Sequence, residues 1–451
     1  MVCAVDTRAI APAHPLNRVV IVGGGLSGLA AGVFLSRRSI PVLILEQRPF
    51  LGGRAYSFAD PVTGAEVDNG QHLLIAGYAA TFGLLELLGT LPLVHVQKRP
   101  TLVFHHPERG FQHLALPSLP SPMHLGYGVL ATGLFSVPDR VRVLRAGTAL
   151  LRSPDHIPAA WTVDDWLRQT GQSGEARRSF WEPLALAIMN EHVDVASGRL
   201  FVRTLRRAFL DHWRGASLAT PSVGLSRLYA DAAREYIVRR GGAVECSAQV
   251  LELLVNDGRV VGVRRNSSAA TPCEALVLAV PHARAVELLP AEVGHHPGFA
   301  GIARIEDSPI ISMHLWFSRS FVRHDAVGVI GRRIQWVFRK EHHLSVTISA
   351  ARDMVAWSNT HLVKTAVEDL RTIYGEEIPE PDRTLVIREK RATFSCSPQA
   401  ELLRPAQRTP LQNLFLAGDW TDTGLPATIE GAVVSGKRAS ELVAEGWGRG
   451  R

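Results

Sequence analysis

Apolar residues gather at both ends of this chain into short runs that alternate with helical spacing. Arg18 to Val22 reads as a short buried strand, and the segment after it, to about Arg38, carries the apolar periodicity of a helix. Pro41 to Leu45 predicts the next strand. Near the other end, Leu414-Phe415-Leu416 predicts another, and Thr428-Ile429-Glu430-Gly431-Ala432 opens a helix that continues through Ser435 and Arg438. Between them, Gly241 to Ala279 reads as a β-meander. Its strands are Val244 to Leu254, Val260 to Arg264 and Ala275 to Val280, with turns at Asn256-Asp257-Gly258 and Ala270-Thr271-Pro272.

Glycines sit where the first strand passes into its helix: Gly23-Gly24-Gly25-Leu26-Ser27-Gly28. In that context Gly23 permits a tight turn, Gly25 lets a pyrophosphate approach the main chain, and Gly28 lets helix and strand pack closely. The helix N-terminus then offers N–H donors to phosphate. Glu46 ends the second strand, eighteen residues beyond Gly28, and a carboxylate there accepts from ribose hydroxyls while repelling a 2′-phosphate.

Composition narrows the classes. Hydrophobic residues are 46% and charged residues 20%, ordinary for a globular chain with a large core. No linker, repeat or low-complexity tract divides the 451 residues, so two interleaved domains are expected. Cys3, Cys246, Cys273 and Cys396 lack metal or disulfide spacing, which predicts no metal site and a reducing, cytoplasmic setting. The first seventeen residues lack a signal-peptide pattern, and the most apolar stretch, Met123 to Val137, is too short to span a bilayer and contains His124. The net charge of +7 and pI near 9.5 suit anionic lipid or nucleic acid. No nucleic-acid-binding motif accompanies the charge, so no nucleic-acid partner is expected. Arg199, Arg203, Arg206 and Arg207 fall on one side of a helix, either a solvated face or a hint of peripheral contact with the inner face of the membrane.

Gly52-Gly53-Arg54, after Glu46, resembles the extension of the first βαβ unit in FAD enzymes of the amine oxidase and phytoene desaturase superfamily. Leu414 to Asp419 with the helix from Thr428 resembles that superfamily's closing motif. The resemblance implies an α/β fold: a Rossmann-like two-dinucleotide-binding FAD domain interleaved with a mixed sheet-plus-helices substrate domain. The boundaries expected are 18–100, 222–290 and 405–451 for the FAD domain, with 101–221 and 291–404 for the substrate domain. FAD is the implied cofactor, touched by Gly53, Arg54, Gly418, Asp419, Thr428 and Ile429 as well as by the first motif. By the same resemblance Val250 contacts adenine through its backbone; a plain core valine is an equal reading.

Five further segments together resemble the squalene-associated FAD-dependent desaturases, from about Arg18 to Leu442. They are Asp68-Asn69-Gly70-Gln71-His72, Phe180-Trp181-Glu182-Pro183-Leu184, Ala196-Ser197, Arg391-Ala392-Thr393-Phe394, and Gly418-Asp419-Trp420 with Gly424 to Gly431. Met189-Asn190-Glu191-His192 is more polar than that family's pattern, and Leu425 stands where an aromatic is frequent. The family's assigned activity is hydroxysqualene dehydroxylation, in squalene and hopanoid biosynthesis. It implies a C30 isoprenoid alcohol as substrate and a hydride passed from reduced FAD to an allylic carbon. Such chemistry needs a proton donor for the leaving hydroxyl, a dry pocket with aromatic faces, and a carbon about 3–3.5 Å from the hydride source. Gly70, Gln71 and His72 are expected beside the flavin, His72 or Asp68 as the proton donor, and Phe180, Trp181, Phe201 and Leu425 around the substrate; for Phe180, Trp181 and Phe201 a plain core role is the competing reading, for His72 a packed histidine, and for Asp68 a turn or capping acid. Pro122 to Leu151 is expected to form a lid or a membrane-facing opening. The rival readings are an isoprenoid or carotenoid desaturase, an amine oxidase, and a non-catalytic FAD- or lipid-binding carrier. No second nucleotide-binding motif names the electron donor.

Overall fold

The short apolar runs assemble a five-stranded parallel sheet in the order Ala243–Glu245, Val42–Leu45, Val19–Val22, Ala275–Leu278 and Leu414–Leu416. Four of these strands are buried at every position, which is why they read as unbroken apolar runs rather than alternating ones. The computed structural model describes residues 18–265 and 270–447. The N-terminal stretch read for a signal pattern, with Cys3, lies outside them.

Two helices lie against this sheet and against each other, Leu26–Arg37 and Ile429–Gly446. Their contact is main chain on main chain. A β-carbon on Gly436 would stand 2.2 Å from the Ser27 carbonyl oxygen and 3.0 Å from the Ala31 nitrogen, and one on Gly28 would stand 2.0 Å from the Gly23 carbonyl oxygen. A third helix, Ala79–Leu88, is tied in by Glu430, whose buried carboxylate accepts from the N–H groups of Ala80 (3.0 Å) and Thr81 (2.9 Å) and from the Thr81 hydroxyl (2.7 Å). An acid from a distant part of the chain thus satisfies the free donors of that helix start.

A seven-stranded sheet stands across a cavity from the parallel one, in the order Arg383–Phe394, Asp307–Trp316, Leu344–Ile348, Trp336–Arg339, Ala326–Val329, Thr101–His106 and Gly110–Ala115. It is antiparallel except where Ala326–Val329 runs parallel to Thr101–His106. Asn190 locks the helical segment to it. At a left-handed φ of 50° it donates from Nδ2 to the Thr393 hydroxyl (2.9 Å) and the Ser308 carbonyl (3.2 Å), while its Oδ1 accepts from Ala350 N–H (2.7 Å). Next to it the fully buried Glu191 takes a two-pronged pair from Arg352 at 2.5 and 2.7 Å. The unexpected polarity of Met189 to His192 is therefore a joint between helix and sheet.

Two readings of the middle of the chain need correction. The run Val244 to Leu254 is two strands in two sheets: Ala243–Glu245 joins the parallel sheet, and Val250–Asn256 begins the antiparallel set with Arg259–Arg265 and Thr271–Pro272. The break comes where Ser247, at φ 55°, turns the chain and the N–H groups of Ser247 and Ala248 bond to the carbonyls of Arg48 and Glu46. Ala275–Leu278 likewise leaves the meander for the parallel sheet, and Thr271–Pro272 is ladder rather than turn. The arginine stripe is also not a free face. Arg199 donates twice to the Ile157 carbonyl, Arg206 donates to the Leu150 and Arg152 carbonyls, and Arg203 lies 3.6 Å from Glu401, leaving Arg207 exposed. Three cations of the stripe hold chain segments in place.

Because the Gly436 contact is with backbone that cannot yield, Gly436→Ala is expected to lower the stability of the folded chain by about 2–3 kcal/mol. Urea unfolding followed by circular dichroism checks it, and an unchanged midpoint would show that the helices separate freely.

Candidate active site

One cavity of about 350 Å³ runs from the glycine turns of the parallel sheet to the face of the seven-stranded sheet. Gly23, with a φ of 109° that glycine adopts without strain, turns the chain out of its strand, and a β-carbon there would stand 2.4 Å from the Ala279 carbonyl oxygen. Gly25 is different: its missing β-carbon would meet only Gly53 Cα, at 3.8 Å. The space in front of it belongs to the cavity. Gly25 pairs with Gly52, and the Gly52 N–H donates to the Gly24 carbonyl at 2.9 Å, so the two glycine turns form one wall. The helix beginning at Leu26 has no side-chain cap and no acid in its first turn, leaving its N–H donors for a ligand.

Around that wall the structure brings together the chosen residues from both ends of the chain. Glu46 lines the cavity, its carboxylate oriented by the N–H groups of Gly24 (2.6 Å) and Arg48 (2.8 Å). Arg54 donates to Asp419 and, at 3.0 Å, to the Ala392 carbonyl; burial opposes its charge, but Asp419 holds the guanidinium protonated above its usual range. Gly53, Gly70, Gln71, His72, Val250, Gly418, Asp419, Thr428 and Ile429 line the same cavity, and Gly28 sits behind it as the packing contact described above. The Val250 carbonyl accepts from Arg284 at 2.9 Å. Thr428 caps the last helix through the Gly431 N–H at 3.0 Å.

His72 has one settled nitrogen. Its Nδ1 is 2.9 Å from the Gly70 carbonyl, which can only accept, so Nδ1 carries the proton and donates it there. Burial holds the imidazole below its usual pKa, with the Asp68 charge and the Gly70 carbonyl opposing that shift. Nε2 is therefore the atom that takes up and releases a proton.

Asp68 is not on the cavity wall. Its carboxylate accepts from the Ser57 hydroxyl (2.7 Å) and the Leu225 N–H (3.2 Å), bracing the hairpin before the Gly70 turn, so the proton-donor assignment made from sequence is withdrawn. Phe180 and Trp181 are also displaced. Trp181 donates its indole N–H to Gln172 at 2.8 Å and packs edge-on against Trp166, Phe180 and Phe201, so this aromatic cluster fills the helical core, because side chains facing other helices cannot also face the cavity. Leu425 is buried in the closing loop and does not line the cavity.

The aromatic wall comes instead from Trp336 and Phe338, stacked at 13° with centroids 5.9 Å apart on the seven-stranded sheet. Sequence pattern did not mark them, since alternate residues of a strand reveal a face but not what that face meets. Tyr78 was missed as well; burial, with Glu430 nearby, pushes its phenol up, so it remains a neutral donor on the wall. Asn69 supports Arg54 from behind, donating to its carbonyl at 2.7 Å. Arg404 holds the closing loop by donating to the carbonyls of Asp419 and Thr421 and to the Thr423 hydroxyl. Among the described residues no group of His, Cys, Asp and Glu could hold a metal ion.

The family model for flavin-containing amine oxidoreductases matches residues 26–444. The chain belongs to that family. It is 32% identical to the hydroxysqualene dehydroxylase of Rhodopseudomonas palustris, over 94% of this chain and 98% of that protein, and 31% identical to that of Sinorhizobium fredii over the same shares. It is 24% identical to the 15-cis-phytoene desaturase of Solanum lycopersicum, over 96% and 78%. Among solved structures it resembles an oxidoreductase from Methanosarcina mazei (TM-score 0.74, 18% identity, 94% of this chain and 100% of that one). A cyclohexylamine oxidase from Brevibacterium oxydans is similar in fold (TM-score 0.71, 17% identity, 96% and 100%). The protein is an FAD-dependent oxidoreductase, and its glycine wall, free helix start and oriented Glu46 fit that dinucleotide.

The two glycines of the first turn separate cofactor binding from folding. Gly25→Ala is expected to fold with little loss of stability yet lose flavin affinity by at least tenfold, because its methyl enters only the cavity. Gly28→Ala, against a carbonyl, is expected to lose stability as well. Yellow colour after purification and thermal unfolding of both variants check the contrast, which fails if the two behave alike.

Proposed function

We propose that this protein is a hydroxysqualene dehydroxylase, replacing the hydroxyl of a C30 allylic alcohol by hydrogen to give squalene. The observation that carries the reading is the match, end to end and above 30% identity, to two relatives of that name. The cavity supports it: a dinucleotide cradle opens directly onto a wall of Ile310, Ile387, Trp336 and Phe338, suited to an isoprenoid chain. Gly23, Gly25, Glu46, Gly53, Arg54, Val250, Gly418, Asp419, Thr428 and Ile429 are assigned to FAD, with Gly70 and Gln71 at the turn between cofactor and substrate.

Bound FAD, once reduced, supplies the hydride that takes the hydroxyl's place. The chain's own part is to hold the alcohol, exclude water and deliver a proton. Trp336 and Phe338, rather than Phe180 and Trp181, are the aromatic residues on the wall beside the positive charge that grows as the C–O bond breaks. His72 donates the proton from Nε2, so hydroxide leaves as water, and the Gly70 carbonyl keeps the ring oriented throughout. A desaturase reading fits the 24% relative less well, and an amine oxidase shares only the fold.

The experiment is anaerobic single turnover of the pre-reduced protein with hydroxysqualene, with the lipid identified by mass. Squalene and reoxidised flavin are expected; flavin that stays reduced favours the carrier, and desaturated products favour the desaturase. Since His72 has a lowered pKa, the protonated form grows as pH falls through that value, and the rate is expected to rise from pH 8 towards pH 6. His72→Gln should flatten that rise and slow the step by about 10²–10⁴-fold. A variant with the wild-type profile would remove His72 from the proton path.

We also assign a peripheral membrane contact to the helices Met123–Ala131 and Val137–Ala149. They leave Met123, Tyr127, Leu130, Val137 and Val141 exposed, with Arg142 and Arg145 beside them. No helix among the described residues is long and apolar enough to cross a membrane, so this contact would lie in the interface. The protein is expected to sediment with vesicles of anionic lipid at low salt, and Val137→Asp with Val141→Asp to weaken that binding about tenfold. Wild-type protein that stays in the supernatant ends the assignment.

A further inference from the structure

Two buried polar groups on the sheet wall of the cavity have no hydrogen-bond partner among the described residues: the indole N–H of Trp336 and the hydroxyl of Thr347. Both residues are more than nine-tenths buried, at 6% and 8% exposure. They are direct cross-strand partners, and Thr347 is in turn the partner of Ser312 on its other side. Paired residues of neighbouring strands project from the same face, so the three side chains form one row, and all three line the cavity. The row ends at the Gly70 turn. The point where a β-carbon of Gly70 would sit is 3.3 Å from Ser312 Oγ and 3.9 Å from His72 Cε1.

A buried donor left without an acceptor costs about 1–3 kcal/mol, and native proteins leave few of them. Trp336 and Thr347 are the two residues of the cavity lining that carry such an atom, and a ligand bound there can bring the oxygen from outside the chain. That oxygen must accept from the indole, which only donates, and can either donate to or accept from the threonine hydroxyl. An alcohol does both, and a hydrocarbon does neither. We infer that Trp336 and Thr347, with Ser312 beside them, hold the hydroxyl of the substrate and select the alcohol over its hydrocarbon product. The inference rests on the dehydroxylation reading above. It places the departing oxygen on the row whose Ser312 end adjoins the Gly70 turn, and it leaves the row unpaired once the hydroxyl is gone, which favours release of the product.

Titration of the oxidised holoenzyme with hydroxysqualene and, separately, with squalene, followed by the flavin absorbance, tests the row directly. Thr347→Val removes the hydroxyl with little change of shape, and Trp336→Phe removes the indole N–H while keeping an aromatic ring on the wall. Each is expected to weaken binding of the alcohol about tenfold and of squalene less than about twofold. Thr347→Ser keeps the hydroxyl and should keep most of the preference, which preserves the test if the valine variant does not fold. Equal losses for both ligands, an unchanged preference for the alcohol, or loss of FAD in place of lost alcohol binding would each overturn the proposal. Wild-type protein that makes no squalene from hydroxysqualene sinks the dehydroxylation reading and this one with it. Normal wild-type turnover with an unaltered preference in the variants sinks the row alone.

Discussion

Main chain packed directly against main chain is the constraint on which this molecule depends. Gly28 lies on the Gly23 carbonyl and Gly436 on the Ser27 carbonyl, at separations no β-carbon would permit, and Gly53 lies close against Gly25. Segments about 400 residues apart in sequence thereby bring two helix starts and two glycine turns to one cavity. At the first glycine turn and the helix start behind it, main chain rather than side chain faces the cavity, the surface a pyrophosphate requires.

Charge is then used sparingly and always in company. Arg54 with Asp419, Asp60 with Arg383 and Glu191 with Arg352 each pair a buried carboxylate with a guanidinium. Breaking such a pair leaves a charge without a partner and costs about 3–5 kcal/mol. Arg54 with Asp419 ties the second glycine turn to the closing motif, and Asp60 with Arg383 ties the hairpin after Ala59 to the edge of the seven-stranded sheet, across 365 and 323 residues of chain. The cavity between is lined more by apolar than by polar surface, and burial holds the His72 imidazole below its usual pKa.

The arginines of Gly198–Phe209 and the polar joint at Asn190 carry a related lesson. Both look, as sequence, like surface or pocket features, and both serve as internal fasteners. A guanidinium or amide donates equally well to water, to lipid phosphate or to a buried carbonyl. Which of these it meets is decided by the path of a remote segment.

Local pattern determined the strands and helices that surround Gly23 to Glu46 and Leu414 to Arg438, because a four-residue buried run and a glycine turn are set by neighbours a few positions away. Resemblance added the turn at Gly70 to His72 and the closing motif, and the cavity brings both against the first glycines. The split of Val244 to Leu254 between two sheets, the placing of Trp181 in the core and of Trp336 on the wall, and the row Trp336, Thr347 and Ser312 were decided only in three dimensions. Strand periodicity tells which residues share a face; it carries no record of what that face will meet, since the partner surface is built from chain hundreds of residues away.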